Sequence, residues 1–213
     1  MAKKNLKRGI FITFEGAEGS GKSTQIKLLA QYLKKNNYKV LILREPGSTR
    51  LSEGLRKILL DKRNDSLCEK AELLLYLAAR AQLVKEKIIP ALRENKIILC
   101  DRFQDSTLVY QGYGLGLNKK MISLFGDFTT GGLYPGLTFL LDIQAKEGLH
   151  RAGGSKDRIE ARSLRYHSRV RKGYLEIATQ SLKRIKVLSA SDIKSTQSRI
   201  QKIFEEYICH LVK

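Results

Sequence analysis

Tryptophan is absent from the 213-residue chain, methionine occurs twice, and proline and cysteine three times each. Cys68, Cys100 and Cys209 are far apart and odd in number, which excludes a disulfide framework and the paired spacing of a zinc site and fits a reducing cytoplasm. Long apolar runs are also missing. The basic start, Met1 to Arg8, is followed only by Ile10-Phe11-Ile12-Thr13-Phe14, too short for the apolar region of a secretion signal and far short of the roughly eighteen residues of a membrane span. The chain is therefore expected to stay in the cytoplasm, with no membrane partner. His150, His167 and His210 show no metal-ligand spacing.

Acidic residues are scarce beside basic ones, 21 against 40, for a formal charge of +19. That excess attracts polyanions of any kind: nucleotides, nucleic acid or anionic membrane. Equally, most of the lysines can be a solvated face. No basic segment is interleaved with aromatics, and no RNP, zinc-finger or homeodomain pattern is present, so no nucleic acid is required as a partner.

What is present reads as one domain over residues 1–213, with 42% hydrophobic content to fill one core. Short apolar runs alternate with helical patterns. Strands are expected at Ile10–Phe14, Lys39–Leu43, Ile97–Cys100, Leu137–Leu141 and Ile185–Leu188. Helices are expected over Gln25–Leu33, Leu51–Leu60 and about Glu69–Glu94, the last with Pro90 near its end, then near Glu147, over Leu164–Leu182 and over Ile193–Leu211. This alternation calls for an α/β fold, a central parallel sheet of about five strands with helices on both faces. Ligands of such sheets lie beyond the carboxyl ends of the strands. The segments there are Gly16 to Ser23, then Arg44-Glu45-Pro46-Gly47, and Asp101-Arg102-Phe103.

Gly16-Ala17-Glu18-Gly19-Ser20-Gly21-Lys22-Ser23, followed by Thr24, satisfies G-x-x-x-x-G-K-S directly after a strand and before a helix, the context a P-loop requires. Glycines let backbone N–H groups curl around phosphates, the helix N-terminus adds positive potential, Lys22 reaches the β and γ oxygens of ATP, and Ser23 ligates Mg2+. Asp101 ends a strand, where a carboxylate can organise Mg2+ or cap the next helix. Arg102 beside it can grip a phosphate at two points and offset the charge of phosphoryl transfer. Residues 148–160 combine glycines with Arg151, Lys156 and Arg158, which suits either a lid that excludes water or a solvated basic loop. Tyr76 and Arg80, four apart on one helix face, can stack on and hydrogen-bond a base or belong to the core.

The run Phe14 to Thr24, Arg44-Glu45-Pro46-Gly47, Ala71-Glu72-Leu73-Leu74-Leu75-Tyr76-Leu77-Ala78-Ala79-Arg80, and Asp101-Arg102-Phe103 through Tyr110-Gln111-Gly112 together resemble thymidylate kinase, over nearly the whole chain and in order. The resemblance implies the P-loop NTPase fold, a homodimer, and transfer of phosphate from ATP-Mg2+ to dTMP. It places Tyr76 and Arg80 on the thymine, and Ser106, Thr107 and Gln111 along base and sugar. Arg44, Glu45 and Pro46 join the acceptor site, Arg102 takes the acceptor phosphate, Asp101 lies near magnesium, and Glu18 approaches the acceptor sugar. Ser20, where some relatives carry a basic residue, resembles the bacterial type that carries its catalytic arginines in the lid, here Arg151 and Arg158. Gly153-Gly154 and Gly136 depart from the family pattern, and Ser189-Ala190-Ser191 resembles the loop on the adenine side. Two rival readings share the motif: another P-loop nucleoside or nucleotide kinase, and a basic nucleic-acid-binding P-loop ATPase.

Overall fold

The computed structural model describes residues 6–153, 157–190 and 192–212, with side chains as far as 209. Five strands, β1 (Ile10–Glu15), β2 (Val40–Arg44), β3 (Ile97–Asp101), β4 (Leu137–Asp142) and β5 (Ile185–Ser189), form one sheet in the order β2-β3-β1-β4-β5, every neighbouring pair parallel. β1 lies at the centre and is buried along its whole length, whereas the edge strands β2 and β5 are partly exposed. That is why β1 reads as a continuous apolar run. The architecture matches the α/β expectation.

Successive β1 side chains alternate between faces. Ile10, Ile12 and Phe14 face α1 (Lys22–Lys35), packing with Ile26, Leu29 and Leu33, and with Ile200 and Phe204 of the C-terminal helix. Phe11 joins Leu43, Leu83, Ile88, Ile98 and Phe103 on the other face. α2 (Arg50–Leu60) starts on Thr49, whose side chain accepts from the Ser52 N–H.

The long helix expected over Glu69–Glu94 is three pieces: α3 (Glu69–Leu83), a π-helical turn over Val84–Ile88, and α4 (Ile89–Arg93). Pro90 has no N–H to return to Glu86, and its ring displaces that carbonyl, so the backbone widens there. Between β3 and β4 three helical segments went unread: α5 (Gln104–Thr107), a π-helical stretch over Leu108–Gly114, and α6 (Lys119–Thr130). α6 carried an available signal. Asn118 caps its start, accepting from Lys120 and Met121 N–H, and Gly131 ends it in the left-handed region.

α7 (Ala145–Ala152), α8 (Leu164–Gln180) and α9 (Ile193–Val212) complete the chain. The lid expected over 148–160 is thus helical at its start, and residues 154–156, with Lys156, lie outside the described residues, as does Ser191. None of the described helices is long and apolar enough to cross a membrane. Leu33 is fully buried between α1 and the sheet. Leu33→Ala should lower unfolding free energy by about 2–5 kcal/mol in a urea titration, through lost burial and the cavity left behind.

Candidate active site

The chain turns from β1 into α1 through glycines that no other residue could replace without strain. Gly16, Gly19 and Gly21 have φ of 138°, 66° and 87°, and a Cβ on Gly16 would sit 2.4 Å from the Leu141 carbonyl oxygen. Gly21 gives α1 no side-chain cap, so the first-turn N–H groups stay open toward a ligand. Lys22 Nζ donates to the carbonyls of Gly16 (3.0 Å) and Ala17 (2.8 Å) and to Ser20 Oγ (3.3 Å), holding the loop curled. Burial first, then the charge of Arg102, pushes its pKa down to about 8, opposed by Asp101, Glu18 and Glu15.

β1 and β3 run in register with Phe14 opposite Asp101, which brings the P-loop beside the residues after β3. Ser23 Oγ donates to Asp101 Oδ2 at 2.9 Å. Among the described residues no cluster of three or more His, Cys, Asp or Glu can hold a metal by itself. The Ser23–Asp101 pair beside a phosphate cradle instead suits Mg2+, which keeps waters and takes substrate phosphates as ligands.

Arg102 follows in the left-handed region, φ 70°. Its Nη1 donates to the Gly16 carbonyl (3.0 Å), the same oxygen Lys22 uses, and to Tyr174 (3.2 Å) and Ser106 (3.3 Å). Its Nη2 pairs with Glu18 Oε1 at 3.1 Å, and the guanidinium lies over the Tyr110 ring. Glu18 also accepts from Tyr110 OH at 2.7 Å. Burial would raise the Glu18 pKa, but Arg102, His167, Lys22 and Tyr110 hold it well below the usual carboxylate range. His167 is buried with neither ring nitrogen hydrogen-bonded, its Nδ1 3.5 Å from Glu18 Oε2.

Glu18, Lys22, Ser23, Asp101, Arg102, Ser106 and Tyr110 line one end of a cleft of about 320 Å³. Tyr76 and Arg80 on α3 line the other, with Thr107, Gln111, and Arg44, Glu45 and Pro46 after β2. Every residue the sequence assigned to the acceptor, Glu18 and Ser106 included, borders this space. Arg80 is 1% exposed, donates to Gln104 and to Thr107 Oγ1 (2.6 Å), and lies 2.6 Å from Glu45 in an ion pair whose N–H does not point at the oxygen. Burial raises the Glu45 pKa despite Arg80. Arg44 is largely exposed and doubly bonded to Glu53.

The lid arginines lie elsewhere. Arg158 is buried and does not line the cleft: it donates to the Leu59 carbonyl (2.8 Å) and to Glu72 Oε2 (2.6 Å). Arg162 meets the same oxygen at 2.6 Å, and Gln111 donates to Glu72 Oε1 at 2.9 Å, so a fully buried carboxylate on α3 gathers the lid side and the base side. Arg151, in the last turn of α7, donates to the Ala190 carbonyl and pairs with Glu147. It borders a second groove with Gly19, Ser20, Gly21, Thr24 and Ile193, continuous with the P-loop. The sequence reading missed Arg56, which donates to the Pro46 carbonyl and lines the cleft, and also Tyr110, Glu72 and Glu15. Arg56 follows the α2 face and left no distinct motif.

The arrangement is a P-loop and a cleft that meet at Arg102, and comparisons with known proteins identify the family. The family model described as thymidylate kinase matches residues 14–200. The chain is 46% identical over 201 residues to the thymidylate kinase of Geotalea uraniireducens (strain Rf4), covering 90% of this chain and 94% of the relative. It is 42% identical over 203 residues to that of Caldanaerobacter subterraneus subsp. tengcongensis, covering 94% and 97%. The crystal structure of thymidylate kinase from Ehrlichia chaffeensis is similar with a TM-score of 0.76 at 35% identity, covering 92% of this chain and 98% of that one. A P-loop feeding a cleft built on Arg102, in a chain that matches these relatives almost end to end, places this protein in the thymidylate kinase family.

Proposed function

We propose that the chain transfers the γ-phosphoryl group of ATP to dTMP, giving ADP and dTDP, in dTTP synthesis. The observation that carries this reading is Arg102, held between the P-loop and the cleft with Gly16, Glu18, Ser106 and Tyr174 as its partners. A guanidinium there can grip an acceptor phosphate while the P-loop holds the donor, so the two reacting groups are aligned without a covalent enzyme intermediate. Mg2+, held at Ser23 and Asp101, would neutralise charge on the donor phosphates. Residues Gly16 to Thr24 wrap those phosphates, with Lys22 on the β and γ oxygens.

On the acceptor side Tyr76 stacks on thymine, Arg80, Thr107 and Gln111 bound the base, and Glu18 meets the sugar. Ser106 has its hydroxyl engaged with Glu15, Tyr174 and Arg102, so it serves the acceptor through Arg102. Arg44, Glu45 and Pro46 close the cleft from β2, with Glu45 holding Arg80. Arg151, beside Gly19 and Ser20, is the lid arginine within reach of the P-loop and would meet transition-state charge opposite Arg102. Arg158 acts on the site through Glu72, which it helps to orient.

We also propose a cytoplasmic homodimer. Leu74 on α3 and Leu124 and Phe128 on α6 are 58%, 65% and 84% exposed, an apolar face that a second copy would cover.

The deciding experiment is an acceptor panel with ATP and Mg2+. dTMP should be consumed far faster than dCMP, AMP, GMP or thymidine, because a site that hydrogen-bonds its base rejects analogues strongly. A preference for thymidine would favour a nucleoside kinase, and ATP hydrolysis stimulated by DNA without dTMP turnover would favour a nucleic-acid-dependent ATPase. Arg102→Ala should lower kcat by about a hundredfold or more while the ATP dissociation constant stays within about twofold. Phe128→Asp should shift the protein to monomer mass in sedimentation velocity; an unchanged profile would remove this face from the interface.

A further inference from the structure

Glu15 ends β1 one residue before the P-loop and is 1% exposed. No donor, acceptor or metal role falls to it in the reading above, yet its carboxylate has three donors. The Phe103 N–H reaches Oε1 at 2.7 Å, and Ser106 Oγ (2.6 Å) and Tyr174 OH (2.9 Å) both reach Oε2. Those two hydroxyl oxygens are the ones that accept from Arg102 Nη1.

We propose that Glu15 is a positioning residue for Arg102, fixing its guanidinium through the Ser106 and Tyr174 hydroxyls and its backbone through the Phe103 N–H. A guanidinium only donates, a carboxylate only accepts, and each hydroxyl owns a single proton. With the protons passed to Glu15, directly or from one hydroxyl through the other 2.7 Å away, both oxygens still turn a lone pair to Arg102. The backbone is tied in the same way. The Arg102 N–H donates to the Phe14 carbonyl at 2.9 Å and the next N–H to Glu15, so both peptide groups flanking Arg102 are anchored to β1. That anchoring holds a non-glycine residue at φ 70°, a conformation it would otherwise leave.

Burial, and then the charge of Asp105, pushes the Glu15 pKa up to about 7, against the Ser106 bond, Arg102 and the Tyr174 bond. Asp105 is itself held by Arg184 through contacts of 2.6 and 2.9 Å. The three donors to Glu15 favour its ionised, accept-only form against that burial.

The inference rests on Arg102 serving the acceptor phosphate. Glu15→Gln tests it, because an amide keeps the shape but offers one acceptor and one donor. In one orientation its NH2 faces the Phe103 N–H; in the other it drives the Ser106 and Tyr174 protons toward Arg102. The variant should bind dTMP about tenfold more weakly by calorimetry and lose about tenfold or more in kcat, with the ATP dissociation constant within about twofold and a cooperative melt. Tyr174→Phe removes one hydroxyl and leaves the carboxylate. It should give a smaller loss of the same kind, and the double variant should be no worse than Glu15→Gln alone.

Wild-type dTMP affinity and kcat in Glu15→Gln would overturn the proposal, as would parallel loss of ATP and dTMP affinity, which marks a purely structural group. If Glu15→Gln does not fold, Tyr174→Phe decides: selective loss of dTMP binding upholds the proposal and wild-type constants overturn it. Failure of the wild-type chain to bind dTMP would instead overturn the acceptor reading, so the two failures are distinguishable.

Discussion

The parallel pairing of β1 with β3, Phe14 opposite Asp101, is the constraint on which the site depends. It makes two chain segments leave the sheet side by side at their carboxyl ends, one as the P-loop and one as Asp101-Arg102. Because β1 is the central strand, β4 flanks it on the other side, and the Leu141 carbonyl then presses on Gly16 where only a glycine fits. The α7 backbone approaches as closely: a Cβ on Gly19 would lie 2.0 Å from the Gly148 oxygen. Shifting that register by one residue would exchange the faces of Phe14 and Glu15 and separate Ser23 from Asp101.

Around this frame the cleft is organised by buried carboxylates that each hold arginines. Glu18 takes Arg102, Glu45 takes Arg80, and Glu72 takes Arg158 and Arg162. Buried ion pairs add little net stability, since desolvation offsets much of the attraction, but removing one partner strands a charge. Their effect here is placement. Long guanidinium side chains, which in water would sample many rotamers, are fixed: Arg102 and Arg80 in the cleft wall, Arg158 and Arg162 on Glu72 outside it. The +19 excess acts more diffusely, drawing anions toward the surface as a whole.

Arg44, Glu45, Pro46 and Arg102 border the cleft because they follow strands, a position that strand prediction supplies, whereas Tyr76, Arg80, Ser106, Thr107 and Gln111 were singled out for the acceptor by the family resemblance. The strands themselves were legible as short β-branched or apolar runs. Arg158 was different. As a cation in a glycine-containing segment it suited a phosphate, yet its partner is Glu72, 86 residues away, and no local pattern marks that pairing. The helices between β3 and β4 were obscured for another reason: Gln104–Gly114 buries polar side chains against other polar side chains, so the hydrophobic periodicity that announces a helix is weak there.

The P-loop, its donor chemistry, the α/β layering and the family resemblance were determined by the sequence alone, because backbone conformation at glycines and apolar periodicity are local properties. Which arginine lines the cleft beside the P-loop and which is turned to a carboxylate outside it, and that the Glu15 carboxylate meets the hydroxyls around Arg102, were decided by the tertiary structure. A guanidinium carries the same charge and donors wherever it lies, and only the three-dimensional placement of acceptors around it selects its role.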